Sequence, residues 1–224
     1  MRGAFGVDGC RGGWVAVCAR GDALRAPVVA PAFSEVLQLA RGAPAAVDMP
    51  IGLLDAPEDG GRACDREARR ALGYPRSLSV FSPPSRAQLS FTAHMRSKLS
   101  AQTRNLVPKI VEVDAVIKPR LQRRVVEAHP ELAFATLLGR PARHYKKTRE
   151  GRNERLEALE APFPRVGRWL EEHLPDARRR GAGVDDLLDA AALAELAARK
   201  PDRSRRFPER PPRDARGLRM EIWG

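Results

Sequence analysis

Apolar and polar positions alternate in a way that divides the chain clearly. The stretch AFGVDGCRGGWVAV begins with an apolar run over 4–8, passes through a glycine-rich turn, and resumes an apolar run over 13–19. That pattern predicts two strands joined as a hairpin, the first ending in Asp8. APVVAPA (26–32) predicts a third strand with Pro27 and Pro31 at its ends. SEVLQLARG (34–42) predicts a short helix with Ser34 as N-cap and Gly42 as its stop. PAAVDMPIG (44–52) predicts a strand that again ends in an acid, Asp48, before Pro50. The chain therefore opens β-β-β-α-β.

Residues 53–121 break this rhythm and read as a mainly helical insertion or cap, rich in Arg and Lys. GRACDREARRALG (61–73) is helical, SVFSPPSR (79–86) is an irregular loop, and 87–121 reads as helix broken at Pro108 and Pro119. RRVVEAHPELAFATLLG (123–139) predicts a strand ending near Glu127, then a helix with Pro130 in its first turn and Gly139 at its end. A basic loop from 142 runs into a polar helix ending near 159, and 165–174 forms an amphipathic helix. GVDDLLDAAALAELAARK (183–200) is the clearest helix, opened by Asp185 and Asp186. An irregular Arg/Pro-rich tail over 201–216 leads to a closing strand within 217–224.

The 224 residues, 43% hydrophobic, suffice for one sizeable domain spanning 1–224. No apolar run reaches the length of a membrane span. The N-terminus enters a strand pattern at once, without the regions of a signal peptide. Cys10, Cys18 and Cys64 are odd in number and fit no zinc spacing, so the expectation is a reduced, cytoplasmic protein. A net charge of +12 favours a polyanionic partner, nucleic acid first, although an Arg-, Ala- and Pro-rich composition biased by the genome would raise the charge too. Aromatic residues are 5% of the chain, too sparse for a ladder stacking single-stranded bases.

The acids at element ends carry the chemistry. Asp8, Asp48 and Glu127 close three strands, and Asp186 and Asp189 project about 60° apart on one helix, with Asp185 about 100° from Asp186 and left for capping. Ligands of open α/β sheets gather beyond the strand ends. Carboxylates meeting there repel one another unless a cation joins them, and Mg²⁺ suits carboxylate oxygen. Each acid has an ordinary alternative: Asp8 as a turn residue, Asp48 satisfying its loop, Glu127 pairing with an arginine, Asp185 and Asp186 facing the helix dipole.

The segments GVDGCRGGWVAV, VDMPIGL, CDREARRALG, LVPKIVEVDAVI, VVEAHPELAFATLLGRP, KKTREGRNERL, DDLLDAAALA and GLRMEIW together resemble the DUF429 family, whose members are predicted nucleases. The resemblance runs through nearly the whole chain. It implies an α/β, ribonuclease H-like mixed sheet with flanking helices, and DDLLDAAALA is similar to the last-helix acidic motif of Holliday-junction resolvases. It implies a metal site of Asp8, Asp48, Glu127 and Asp186 or Asp189, holding Mg²⁺ or Mn²⁺, two ions in the usual phosphodiester chemistry. Arg11, His129, Lys146, Lys147 and Arg152 are the candidate substrate-binding residues, with HPE (129–131) and KKT (146–148) facing the cleft. Arg and Lys within 86–124 and 143–152 would hold the phosphate backbone. The resulting expectation is a metal-dependent nuclease acting on a structured or hybrid nucleic acid. The alternatives are a nucleotide-binding phosphotransferase and a non-catalytic nucleic-acid-binding module. The 53–121 segment departs from uninterrupted ribonuclease H-like proteins.

Overall fold

β1 (Ala4–Cys10) and β2 (Gly13–Arg20) form the predicted hairpin, paired antiparallel from Ala4↔Ala19 to Cys10↔Gly13. In the computed structural model, which describes residues 3–89, 101–199 and 204–224, this hairpin anchors a six-stranded mixed sheet. β3 (Ala23–Leu24) and β4 (Val28–Ala30) pair antiparallel with β2. On the other side of β1, β5 (Ala45–Val47) and β6 (Val125–Glu127) add in parallel, giving the order β3-β2-β1-β5-β6 with β4 beside β2.

Seven α-helices lie among the described residues: α1 (Phe33–Leu39), α2 (Ala63–Leu72), α3 (Ala101–Val116), α4 (Pro130–Leu138), α5 (Arg149–Glu160), α6 (Val166–Arg179) and α7 (Val184–Ala198). None is long and apolar enough to cross a membrane. Side chains alternate across a strand, so each strand feeds two cores. Val15, Val17, Ala19 and Ala46 face the helical layer of α4 to α7. Val7, Trp14, Ala16 and Val47 face the opposite layer, which contains Phe33 and Val36 of α1 and Ile110 and Val113 of α3.

α7 lies directly on β1. A Cβ at Gly6 would come within 1.9 Å of the Ala190 carbonyl oxygen and 2.2 Å of the Ala194 nitrogen, so only glycine permits this approach. Gly6 and Asp8 therefore share the α7 face of β1.

The described parts of 53–121 pack into the body of the molecule. Leu53, Ile110, Val113 and Ile117 are buried in the core beneath the sheet. Cys64, Ala68, Leu72 and Val80 join Leu132, Phe207, Met220 and Ile222 in a third cluster. That cluster is closed by a small sheet of β7 (Arg206–Phe207) and β8 (Ile222–Trp223), the latter lying within the expected closing strand.

Several local expectations are corrected. β1 continues past Asp8 to Cys10, because the hairpin ladder persists on the β2 side while pairing with β5 stops at Val7↔Val47. Ser34 does not cap α1: the N-cap is Ala32, and the Phe33 N–H donates to the Glu112 carboxylate instead. Pro108 sits inside α3 without ending it, and α6 runs through Pro175 to Arg179. The parts of the expected 87–121 helical segment, 183–200 helix and 201–216 tail at positions 90–100 and 200–203 fall outside the described residues.

Candidate active site

The parallel strands place two acids side by side. Val7 pairs with Val47, the Asp48 N–H donates to the Val7 carbonyl at 2.9 Å, and the next residue of each strand is an aspartate on the α7 face. Asp8 is 8% exposed, and its Oδ1 accepts from the Gly9 N–H at 2.7 Å. α7 brings Asp186 and Asp189 to the same place. Asp189 is 1% exposed, with Oδ1 buried and unpartnered.

Lys146 enters among them, its Nζ 2.7 Å from Asp189 Oδ2. Burial would lower the ammonium's pKa, but Asp189, Asp8 and Asp48 outweigh it and raise it. The acids register the same crowding. Burial raises the Asp8 carboxyl well above the usual carboxylate range, and Asp48 and Asp189 push it further, against Lys146. Asp48 is raised by burial and by Asp189, opposed by His129 and Lys146. Asp186 is raised by burial and Asp189, opposed by its hydrogen bond from the Gly183 N–H. The site is short of positive charge.

The loop carrying Lys146 is fixed from α5 and α4. Glu154 accepts from the Arg143 and His144 N–H groups at 3.0 and 2.9 Å and from Arg140 at 2.7 Å. Buried Arg155 donates to the Gly151 carbonyl at 2.9 Å and pairs with Glu131 at 2.5 Å. Glu131 keeps its second oxygen buried and unpartnered and acts electrostatically on Asp48.

Beside them lies a cavity of about 510 Å³. Asp8, Asp48 and Asp186 are on its acidic side, and Arg76, His129, Tyr145 and Lys146 also line it. Met49, Pro75, Leu78, Phe81 and Leu106 supply an apolar wall, largely from the 53–121 segment. A cavity of about 610 Å³ beside Trp169 is lined by only two acids, Asp22 and Glu172.

Glu127 does not join this group. The register Val47↔Glu127 puts it in line with Val47 and Val7, on the face opposite Asp8. There Arg62, 1% exposed, binds it through two nitrogens at 2.5 and 2.8 Å and also pairs with Asp65 at 2.7 Å. Glu127 Oε2 accepts from the Ile51 N–H at 2.6 Å, so both oxygens are used. The network fixes the loop that follows Asp48, since Arg62 also donates to the Gly52 carbonyl at 2.9 Å.

His129 and Lys146 reach the cavity, but Arg11, Lys147 and Arg152 are exposed and are not part of its lining. Arg152 lies 3.5 Å from Asp185. It is Asp186, not Asp185, whose side chain caps α7, accepting from the Gly183 N–H at 2.7 Å. The basic run ending at Arg124 precedes β6, and the Ala45 N–H donates to the Arg124 carbonyl at 2.7 Å, so it lies at the far end of the sheet from Asp8. Arg86 is committed to Asp114 and Asp214. Sequence reasoning missed the roles of Arg62, Glu131 and Arg155. The signals for them were GRACDREARRALG, which contains Arg62, HPE, which contains Glu131, and KKTREGRNERL, which contains Arg155.

Among the described residues, no three His, Cys, Asp or Glu side chains lie close enough to hold a metal ion as they stand. The donor chemistry nevertheless fits a hard divalent cation: carboxylates with raised pKa values, and orphaned oxygens on Asp189 and Glu131.

A family model described as "Protein of unknown function (DUF429)" matches residues 6–213, and the chain belongs to that family. No curated protein and no solved structure matches it.

Proposed function

We propose that this DUF429 chain is a metal-dependent nuclease with a ribonuclease H-like core, hydrolysing phosphodiester bonds of a structured or hybrid nucleic acid. The observation that carries the reading is the gathering of Asp8, Asp48, Asp186 and Asp189 at one end of the sheet around the Lys146 ammonium. Such an excess of buried carboxylate costs stability, and a bound divalent cation offsets it. The mixed sheet, with its antiparallel hairpin followed by parallel β5 and β6, supports the ribonuclease H-like assignment.

Asp8, Asp48, Asp186 and Asp189 would hold Mg²⁺ or Mn²⁺, with Glu131 in the place first assigned to Glu127. The metal would supply charge stabilisation and an activated water. The chain's own groups do the rest. Lys146 and Arg76 attract and orient phosphate oxygens. His129 lines the cavity and acts electrostatically on Asp48. The net charge of +12 draws a polyanion to the surface in a salt-dependent way.

The test is Mn²⁺ titration by calorimetry, together with cleavage of a branched DNA and of an RNA–DNA hybrid carrying single-stranded tails in Mg²⁺, Mn²⁺ or EDTA. Binding and cleavage are expected in the wild type. Asp8→Asn should lower Mn²⁺ affinity at least tenfold, abolish cleavage, and leave the metal-free melting temperature equal or higher. Unchanged Mn²⁺ affinity in Asp8→Asn would overturn the proposal.

A further inference from the structure

The geometry points to a single unpaired nucleotide as the unit this cavity admits, whether at a strand end or displaced from a helix, in place of the backbone of a continuous duplex. The inference rests on the nuclease reading above and names the form of its substrate.

The acids lie on the wall of a partly enclosed cavity. Pro75, Arg76, Leu78 and Phe81 line the cavity together with Leu106 of α3, and Tyr145 and Lys146 line it from the loop before α5. A volume of about 510 Å³ falls within the roughly 300–1,000 Å³ of pockets that enclose one small ligand. A phosphate held in a continuous duplex carries its paired, stacked neighbours with it. It cannot reach acids inside such a cavity unless its nucleotide leaves the stack. An unpaired nucleotide can enter alone.

The lining chemistry matches the two halves of a nucleotide. Leu78 is 75% exposed and Tyr145 53% exposed, large side chains left uncovered at the cavity. With Phe81 and Leu106 they offer an apolar surface and a ring against which one base can lie. Arg76 and His129 each keep one buried ring or guanidinium nitrogen unpartnered, Nε and Nδ1, beside Lys146. Arg76 and Lys146 supply positive charge and N–H donors for a phosphate. Aromatic residues make up only 5% of the chain, which suits one place for a base and not a track of them.

The test uses fluorescence anisotropy in EDTA, so that binding is read apart from hydrolysis. Three labelled DNAs share one duplex sequence: a hairpin with a six-nucleotide 3′ tail, the same with a 5′ tail, and a closed dumbbell without ends. At least one tailed DNA should bind tenfold or more tightly than the dumbbell. Tyr145→Ala and Leu78→Asn should each lower tail affinity at least threefold and leave dumbbell affinity unchanged. The proposal is overturned if the dumbbell binds as tightly as the tails, if none of the three binds, or if both variants keep the full tail preference. A tail preference that both variants reduce, without cleavage in Mn²⁺, sustains the pocket and defeats the nuclease reading alone.

Discussion

Two groups of acids stand at the same end of one sheet, and the fold treats them in opposite ways. On one face Asp65 and Glu127 share the buried guanidinium of Arg62, with the Ile51 N–H completing the network. On the other face Asp8, Asp48, Asp186 and Asp189 crowd around the Lys146 ammonium, with His129 acting on Asp48, beside a cavity. The first group holds a loop in place. The second stores an unmet demand for positive charge, which is how a binding site differs from a structural ion network. One residue of register separates them: Val47↔Glu127 sets Glu127 on the Val7 face, while Asp8 and Asp48, each one step further along, turn to α7.

The contrast breaks most visibly at Arg62. Arg62→Met removes the cation paired with Asp65 and Glu127 and leaves two carboxyls buried, 0% and 5% exposed. Loss of one partner from a buried pair costs about 3–5 kcal/mol. Denaturant unfolding should show a loss of that size, or no folded protein at all. Adding Glu127→Gln should recover part of the loss, since an uncharged amide is less costly to bury. A variant within about 1 kcal/mol of wild type would mean that the network is not structural.

Much of this arrangement was legible in the chain, and the gaps have physical reasons. The hairpin, the strand before Asp48, and the helices over 61–73, 130–139 and 183–200 follow from periodicity and from Gly or Pro at their ends, and the structure has them. Asp8, Asp48, Asp186 and Asp189 could be gathered because each sits at or near the end of a strongly patterned element. Glu127 misled because β6 is three residues long, and a strand that short does not announce which face its last side chain takes. Glu131 and Arg155 were hidden by their distance in sequence: they meet across 24 residues, and only the packing of α4 against α5 brings them together. The capping of α1 by Glu112, 79 residues away, is invisible for the same reason.

A pH titration sharpens the comparison, because the loop clamp and the acid cluster respond with opposite sign. Burial disfavours the Glu154 carboxylate, but the Arg143 and His144 N–H groups and Arg140 overcome this and lower its pKa to about 2. Between that value and the ordinary 4.5 the unfolded chain binds more protons. The clamp's contribution, of order 2 kcal/mol, is therefore present above the ordinary value and lost as pH falls towards 2. Asp8 and Asp48 have raised values, chiefly through burial, so the folded chain binds more protons than the unfolded one once pH exceeds their ordinary 3.8. Their contribution weakens the metal-free protein as pH climbs through the raised values. Glu154→Gln should flatten the acid limb of stability against pH, and Asp8→Asn the limb above it. Identical profiles for wild type and both variants would show that neither group titrates as its surroundings imply.

The smallest effect separates neighbours on α7. Asp185 and Asp186 follow one another, yet their surroundings differ. Asp185 lies 3.5 Å from Arg152, with side chains 22% and 46% exposed, an arrangement worth at most about 1 kcal/mol in water. Asp186 accepts from the Gly183 N–H and lines the cavity. An amide oxygen at 186 can still accept from the Gly183 N–H, and Asp185 makes a partly exposed contact with Arg152, so neither Asp185→Asn nor Asp186→Asn should cost more than about 1 kcal/mol of stability. Metal affinity is where they part. Asp186→Asn removes a charge from the group that includes Asp8 and Asp189, and Mn²⁺ affinity should fall at least tenfold; Asp185→Asn should leave it within a factor of two. The reverse pattern, an Asp185 variant that loses the metal beside an Asp186 variant that keeps it, would mean that the functional face of α7 lies about 100° from where the cavity puts it.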